Sequence, residues 1–298
     1  MPQEIPDPEV RIDNAREIAE GIVVIENRGV ELVPNIGVIA GADAVLVVDT
    51  GMGLRNAGSV LQYAQDVAAG RELFLTTTHF HPEHAFGAQV FAGAATYVAN
   101  RAQADDLAHK GAGYLDMFRS LAPTVADRLA DVVPPTPDLV YDGTYDLDLG
   151  GRVVRLLPTG QGHTLGDQVV LVPDAKALFT GDLAETAQFP IFPWFPPYDT
   201  DVSGPGWIGV LDTLLGLGAD VVVPGHGDVG GPDLLRTVRD AITELRDETA
   251  RLRAAGRPDD AIAGEVGEIL VGRHPGWHGR EWIPTAVAAF LAERGSAK

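Results

Sequence analysis

The 298-residue sequence predicts an α+β protein in which two β-sheets pack face to face with helices on their outer sides. Three observations lead to this prediction. Strand and helix patterns alternate in the first half, a second β-rich block repeats the layout of the first, and the chain beyond residue 230 is mostly helical. A layered protein of this kind accommodates a chain of this length in one large domain.

The first half opens with three strand patterns, at 21–26, 35–41 and 44–51. A tight Gly-Ala-Asp turn joins the last two, which predicts antiparallel pairing. Residues 54–69 have the apolar spacing of a helix, and 72–80 form a buried strand pattern that runs into a histidine cluster.

A helical stretch at 101–135 leads to the second β-rich block. Its strand patterns lie at 151–159, 167–173 and 176–182, and a further one lies at 219–227. The strand endings near residues 50 and 180 both close in a Gly/Asp turn, which indicates two similar halves facing each other across a cleft.

The C-terminal part has helical patterns with breaks at 256–258 and 274–279. We therefore expect a domain over residues 1–230 and a C-terminal helical extension, residues 231–298, packed on the same domain.

Composition narrows the function classes. The formal net charge of −20 repels polyanions, so we expect neither nucleic acid nor membrane as a partner. The absence of cysteine excludes disulfides, thiolate ligands and thiol catalysis. The sequence has no secretory leader pattern and no span of membrane-crossing length, which predicts a cytoplasmic location. A homodimer stays open.

The chemistry is concentrated in the stretch TTTHFHPEHAFG, residues 76–87. His79 and His81 stand two apart at a predicted strand end, so alternation points both imidazoles to one side, where they can share a metal ion. Glu83 and His84 follow on a turn and can bind a second ion.

Such a cluster is unfavourable without a ligand. Single histidines such as His109, His274 and His278 are usually structural or surface groups. Three imidazoles and a carboxylate held together with nothing to bind would be desolvated without compensation.

The H-x-H-x-E-H pattern resembles the H-x-H-x-D-H motif of the metallo-β-lactamase superfamily. The rest of that motif set follows in order: DTG at 49–51 resembles the first motif, GHT at 162–164 the third, TGD at 180–182 the fourth and PGHG at 224–227 the fifth. The resemblance covers about residues 20 to 230. Within the superfamily, the sequence is most similar to the group that contains glyoxalase II-like hydrolases and subclass B3-like lactamases. It implies the four-layer αβ/βα sandwich of that family, with residues 1–230 as its catalytic domain.

The resemblance also implies a ligand set. A zinc-type centre of one or two Zn²⁺ ions is expected, with iron or manganese as alternatives. A first metal would be held by His79, His81 and His163, a second by Glu83, His84 and His226, with Asp182 bridging the two.

Two aspartates are candidates for supporting roles. Asp49 would accept the outer N–H of a ligating imidazole and so fix its tautomer. Asp167 is a weaker candidate for the same role, and its alternative is to cap a turn.

Glu83 departs from the family pattern, which has aspartate there. The added methylene moves the carboxylate outward, so the second metal is in question at this position. Glu83 would either ligate from another angle or act as a base on bound water.

These ligands imply hydrolysis. A metal lowers the pKa of bound water toward about 7, and the resulting hydroxide attacks a small ester-like substrate: thioester, lactone, lactam, or sulfate or phosphate ester. Asp182 or Glu83 would relay the proton to the leaving group. The family hosts all these substrates, so the fold does not choose among them.

The alternative is an oxidoreductase. Persulfide dioxygenases of the same superfamily hold one iron with two histidines and an aspartate, which His79, His163 and Asp182 would match. A metal sensor without catalysis and a nuclease are weaker alternatives, because the ligand set is complete and no basic patch is present.

Residues 187–201, here called the aromatic loop, directly follow the Asp182 strand. Its prolines prevent a regular helix, and five rings crowd into ten residues: Phe189, Phe192, Trp194, Phe195 and Tyr198. We predict that it forms the substrate-facing wall of the metal cleft. A structural loop or a dimer contact is the alternative.

Overall fold

The computed structural model describes residues 5–293 and contains two β-sheets. The first sheet has seven strands in chain order. Its first four strands pair antiparallel, and the fourth to the seventh pair parallel. The strands are β1 (Ala15–Ala19), β2 (Ile22–Ile25), β3 (Ile36–Ala40), β4 (Ala44–Val48), β5 (Glu72–Thr76), β6 (Thr96–Asn100) and β7 (Leu139–Tyr141).

The second sheet has five strands, with the last strand in the chain at one edge. Four of them form an antiparallel meander, and the last pairs parallel with its neighbour. The strands are β8 (Tyr145–Asp148), β9 (Val153–Pro158), β10 (Gln168–Val172), β11 (Ala177–Glu185) and β12 (Val221–His226).

Eight α-helices lie in the described part of the chain. The helices are α1 (Gly53–Ala68), α2 (Pro82–Ala85), α3 (Arg101–Arg119), α4 (Pro123–Arg128), α5 (Gly204–Leu215), α6 (Pro232–Ala254), α7 (Asp259–Arg273) and α8 (Ile283–Glu293). No helix within residues 5–293 combines the length and hydropathy needed to cross a membrane.

Three apolar clusters define four layers. One joins the first sheet to α1, α3 and α4, and another joins the second sheet to α5, α6, α7 and α8. The third lies between the sheets, where Val48 of β4 and Phe179 of β11 are both buried. A Cβ at Gly37 would stand 2.6 Å from the Phe179 ring, so this close approach requires glycine. The order helix, sheet, sheet, helix confirms the predicted fold class.

The structure differs from the predicted elements in three places. The helical stretch 101–135 is two helices, because Pro123 starts a new helix after α3 has ended. Strands β1, β6, β7 and β8 were not predicted. The pattern at 72–80 is a strand only as far as Thr76.

The C-terminal breaks are confirmed. Helix α6 ends before residues 256–258, and α7 ends before 274–279. Helices α6 to α8 share one apolar cluster with α5 and the second sheet. The division at residue 230 stays a proposal, and residues 1–4 and 294–298 of the two predicted segments lie outside the described residues.

Candidate metal centre

The candidate site lies at one edge of the two sheets. The loop after β5 carries His79 and His81, and the loop between β9 and β10 carries His163. Asp182 belongs to β11 and His226 ends β12. Both halves of the molecule therefore contribute side chains.

The first cluster contains three histidines and one carboxylate oxygen. His81 Nδ1 lies 3.0 Å from His79 Nε2 and 3.1 Å from His163 Nε2. Asp182 Oδ2 lies 3.8 Å from His79 Nε2 and 3.7 Å from His163 Nε2. Ligand atoms about 2.1 Å from a tetrahedral zinc ion lie about 3.4 Å from one another. These four atoms therefore have the spacing of ligands to a single ion.

The second cluster contains Glu83, His84, His226 and the other oxygen of Asp182. Asp182 Oδ1 lies 3.2 Å from His84 Nε2 and 3.6 Å from His226 Nε2. The ligand atoms of all four side chains, Glu83 included, lie within 4.8 Å of one another. The extra methylene of Glu83 does not remove its carboxylate from the cluster.

Unpartnered polar atoms test whether these residues suit a cation. Within residues 5–293, Glu83 Oε2, His84 Nε2 and Asp182 Oδ1 are buried without a hydrogen-bond partner. His84 Nε2 and Asp182 Oδ1 approach each other closely but without hydrogen-bond geometry. Buried polar atoms of this kind are rare and costly unless an ion or water satisfies them. A divalent cation in the second cluster would satisfy all three.

The histidines of the first cluster have a protonation state that suits a cation. Burial lowers the pKa values of His79 and His81 well below their ordinary range, and neighbouring imidazoles lower them further. Burial also lowers the pKa of His163. These imidazoles are therefore neutral at physiological pH, which is the form that binds metal.

In the second cluster, the pKa values of Glu83 and His84 are raised. Burial, opposed by His84 and reinforced by Asp182, raises the pKa of Glu83 to about 7. Although burial opposes it, the carboxylates of Asp182 and Asp49 hold the pKa of His84 well above its ordinary value. His84 Nε2 is therefore a position at which a proton and a metal ion compete.

Asp49 supports this arrangement from the end of β4. Its backbone is left-handed, with φ of 66°, a conformation that aspartate tolerates better than most residues. One carboxylate oxygen accepts the Thr78 N–H at 2.7 Å, and the other accepts the Thr78 hydroxyl at 3.0 Å and lies 2.9 Å from His84 Nδ1. The predicted supporting role of Asp49 agrees with this geometry.

The outer nitrogens of the other histidines are held in different ways. His163 Nδ1 lies 2.9 Å from the carbonyl of Ile191. Burial lowers the pKa of His226, and the Asp182 carboxylate and the backbone of Val33 oppose that shift. His79 Nδ1 lies 3.2 Å from the Thr78 hydroxyl. His81 Nε2 is buried and has no hydrogen-bond partner among the described residues.

The glycine of the PGHG motif has a steric explanation. A Cβ at Gly225 would stand 1.9 Å from Asp182 Oδ1 and 2.8 Å from the backbone of Gly181. Strands β11 and β12 pair in parallel here, so the glycine lets the backbone of β12 pass beside the shared carboxylate. Asp182 could not keep its position beside a larger residue.

All seven predicted ligands come together in the two clusters, while His109, His274 and His278 lie outside them. Their role as ligands stays a prediction. The reasoning from strand alternation was wrong, since His79 and His81 follow β5 in a loop. Their imidazoles meet because that loop turns into α2, which begins at Pro82.

Asp167 serves as the cap of a turn. Its carboxylate accepts from the Thr164 N–H at 2.9 Å and from the Thr164 hydroxyl at 2.5 Å. Burial raises the pKa of Asp167 to about 8. The turn carries His163, so Asp167 acts on the site through the backbone.

The aromatic loop divides into two parts. Phe189 and Phe192 are fully buried in the outer core of the second sheet, as a structural loop requires. Between them Ile191 holds His163, and Tyr198 farther along is exposed. The loop therefore touches the site, but two of its five rings cannot face a substrate.

Tyr114 was not predicted from the sequence. Its ring stacks on the His81 imidazole at 4.9 Å between centroids, with 26° between the planes. Tyr114 lies on α3, and only its spacing of four residues from Lys110 and eight from Asp106 indicates that the three share a helix face.

Comparisons with known proteins show which proteins this chain is similar to. A family model described as the metallo-beta-lactamase superfamily matches residues 29–226. A linear primary-alkylsulfatase of a Pseudomonas strain is 26% identical over 264 residues, which cover 76% of this chain and 49% of the relative. The chain therefore spans about half the length of that alkylsulfatase. The bovine acyl-coenzyme A thioesterase MBLAC2 is 28% identical over 239 residues, which cover 74% of this chain and 83% of the relative.

Solved structures show the same fold. A metallo-beta-lactamase from Pontibacter korlensis superposes with a TM-score of 0.61 at 19% identity, covering 77% of this chain and 98% of that one. At this identity the likeness concerns the fold alone.

Proposed function

Because the chain belongs to the metallo-β-lactamase superfamily, we propose that it is a metal-dependent hydrolase of a small ester-like substrate. The observation that carries the proposal is the pair of ligand clusters that share Asp182, with one carboxylate oxygen directed to each. Two ions held there would supply Lewis acidity and an activated water nucleophile. Zn²⁺ is the proposed ion, since imidazole and carboxylate ligands at this spacing suit it.

The chain's own side chains would position the reaction and move its proton. The shared carboxylate of Asp182 fixes the two clusters relative to each other. Glu83 belongs to the second cluster, and its carboxylate has two oxygens, so one can bind the ion while the other takes a proton from the nucleophile and passes it to the leaving group. Asp49 keeps His84 in one tautomer by accepting from its Nδ1.

A thioester is the substrate class to test first. The thioesterase relative aligns over most of its length, whereas the alkylsulfatase aligns over about half. The net charge of −20 disfavours large polyanions, so we propose a thioester of a small, weakly charged thiol. Alkyl sulfates, lactones and lactams form the comparison set.

The test is a hydrolysis assay of the purified protein with and without Zn²⁺. The chain has no cysteine, so a thiol reagent reports only the released product. We expect turnover that a chelator abolishes and Zn²⁺ restores, that Asp182→Asn lacks, and that His109→Ala keeps. Absence of turnover on every substrate by protein that carries two ions would overturn the proposal.

An iron-dependent oxidoreductase is the competing function. The first cluster contains His81 in addition to His79, His163 and Asp182, and a second cluster lies beside it. This fuller set favours hydrolysis over a single iron with open positions. Metal analysis of protein purified without added metal, together with oxygen uptake on glutathione persulfide, separates the two functions.

The partner and location predictions are kept as part of this proposal. We propose a small-molecule substrate, neither nucleic acid nor membrane as a partner, and a cytoplasmic location. Homodimer formation is left open by these observations.

A further inference from the structure

A group of charged and aromatic side chains joins α3 to the end of the aromatic loop, outside both ligand clusters. We call it the α3 clamp. It consists of Asp106, Lys110 and Tyr114 on α3 and Asp199 and Asp201 in the aromatic loop.

Lys110 is the centre of the clamp. Its ammonium group lies 3.1 Å from Asp106, 3.1 Å from Asp199 and 2.6 Å from Asp201. It donates hydrogen bonds to Asp199 and Asp201 and forms an ion pair with Asp106. It also lies 5.4 Å from the centroid of the Phe80 ring. Since Lys110 and two of its carboxylates are largely buried, breaking these pairs would leave uncompensated charge.

Asp199 connects this ion cluster to Tyr114. One of its oxygens accepts from Lys110, and the other accepts the Tyr114 hydroxyl at 2.7 Å. The backbone of Asp199 exchanges two hydrogen bonds with Phe195, at 2.8 and 2.9 Å, which fixes the turn that carries it. The contacts of Asp199 therefore hold this end of the aromatic loop in place.

A second contact holds the same turn on α3. The Tyr198 hydroxyl donates to the carbonyl of Lys110 at 2.8 Å. A Cβ at Gly113 would stand 1.7 Å from that hydroxyl, so the tyrosine fits only because this helix position is glycine.

The clamp reaches the metal centre through the Tyr114 ring. A metal-binding histidine is normally oriented by a hydrogen bond from its other nitrogen. His84 and His163 have such bonds, whereas His81 Nε2 has none within residues 5–293. Two aromatic rings contact the His81 imidazole: Phe80 lies at 59° to it, whereas Tyr114 stacks on it at 26° between planes. Tyr114 is therefore the ring placed to hold the plane of His81.

We propose that Tyr114 is a positioning residue that couples the placement of the aromatic loop to His81 and so sets the affinity of the first cluster for its metal ion. The proposal rests on the metal-binding part of the proposed function and not on the identity of the substrate. The loop then supports two of the three histidines of this cluster, His163 through the Ile191 carbonyl and His81 through Asp199 and Tyr114.

The test is metal affinity, measured by chelator competition with Zn²⁺ and by the visible absorption of Co²⁺-loaded protein. Tyr114→Leu removes the ring, and we expect the affinity of the first ion to fall about 10- to 100-fold, the usual cost of losing an orienting partner. Tyr114→Phe keeps the ring and should restore most of that affinity. Phe118→Leu is the matched control, because it removes a buried ring one turn along α3 that pairs with Tyr114 and, among the described residues, forms no ring pair with His81.

Asp199→Ala tests the coupling. It leaves the Tyr114 ring in place but frees the loop, so we expect a smaller fall in first-ion affinity and a changed Co²⁺ spectrum. Unchanged affinity and spectrum in Asp199→Ala would overturn the coupling to the loop. Equal losses in Tyr114→Leu and Phe118→Leu, or no loss in either, would overturn the positioning role. If Tyr114→Leu does not fold, Asp199→Ala and Tyr114→Phe still decide the coupling. A wild-type protein that binds no metal would instead contradict the proposed function.

Discussion

The two ligand clusters are supported by different parts of the molecule. The first cluster depends on the aromatic loop, which holds His163 directly and is tied to His81 through the α3 clamp. The second depends on the first sheet, because Asp49 at the end of β4 lies 2.9 Å from His84 Nδ1. A long loop is generally more mobile than a strand end. The comparison indicates that the first metal position can respond to movement of the aromatic loop while the second stays fixed.

The largest effect is expected where the two clusters meet. Asp182→Ala removes the only side chain that both clusters share, so both ions should be lost. Loss of the several kcal/mol that metal ions contribute to a transition state lowers the rate by about a thousandfold or more. Metal analysis and turnover measure this, with His109→Ala as control. A variant that keeps one ion tightly would show that the clusters are independent.

Asp49→Asn should weaken metal binding in the second cluster more than in the first. Asparagine cannot accept from both Thr78 and His84 as the carboxylate does, so the second ion should bind about 10- to 100-fold more weakly while the first changes less. Stepwise chelator competition gives the two constants. Asp43→Asn, at an exposed aspartate in the turn before β4, is the control. Preferential loss of the first ion would reverse the assignment of support.

Glu83→Asp tests the chain's departure from the family pattern. Since Glu83 already lies within the second cluster, both proteins should bind two ions, and affinity should differ by less than about tenfold, or about 1.4 kcal/mol. Metals per chain and the second dissociation constant decide. One ion in wild type and two in the variant would show that the longer side chain does hinder the second site.

The last prediction concerns the clamp alone and the stability of the fold, not metal binding. Burial raises the pKa of Asp106 to about 6, although Lys110 beside it lowers it and Asp199 and Asp201 raise it. The folded chain thus keeps this proton to higher pH than the unfolded chain. The free energy of unfolding should therefore fall between about pH 4 and pH 6, by at most about 3 kcal/mol. Asp106→Asn removes this dependence. Denaturant unfolding across this range measures it, and the same slope in both proteins would contradict it.

Much of the site was predictable because its ligands are chemically distinctive and close in sequence. Four of the seven ligands lie within residues 79–84, and the others belong to short motifs in a loop, in β11 and at the end of β12. The four-layer fold followed from the repeated strand and helix patterns.

The supporting residues were less accessible to sequence reasoning. The contact between Tyr114 and Asp199 joins positions 85 apart, and neither residue belongs to a ligand motif. Strand β1 was not predicted either, because its residues are half-exposed or exposed and lack an alternating apolar pattern. Long-range packing and edge strands are decided by tertiary contacts, which local patterns do not record.

The distribution of the ligands along the chain has a consequence for assembly. His79, His81, Glu83 and His84 come from the first half, whereas His163, Asp182 and His226 come from the second. Neither cluster can form until the two sheets have docked, so an ion bound there fastens one half to the other. Each ion that binds only the docked state adds RT ln(1 + [L]/Kd) to its stability, about 4 kcal/mol at a thousandfold excess over Kd. Metal supply would then govern the lifetime of the protein as well as its chemistry, and chelation should lower its melting temperature.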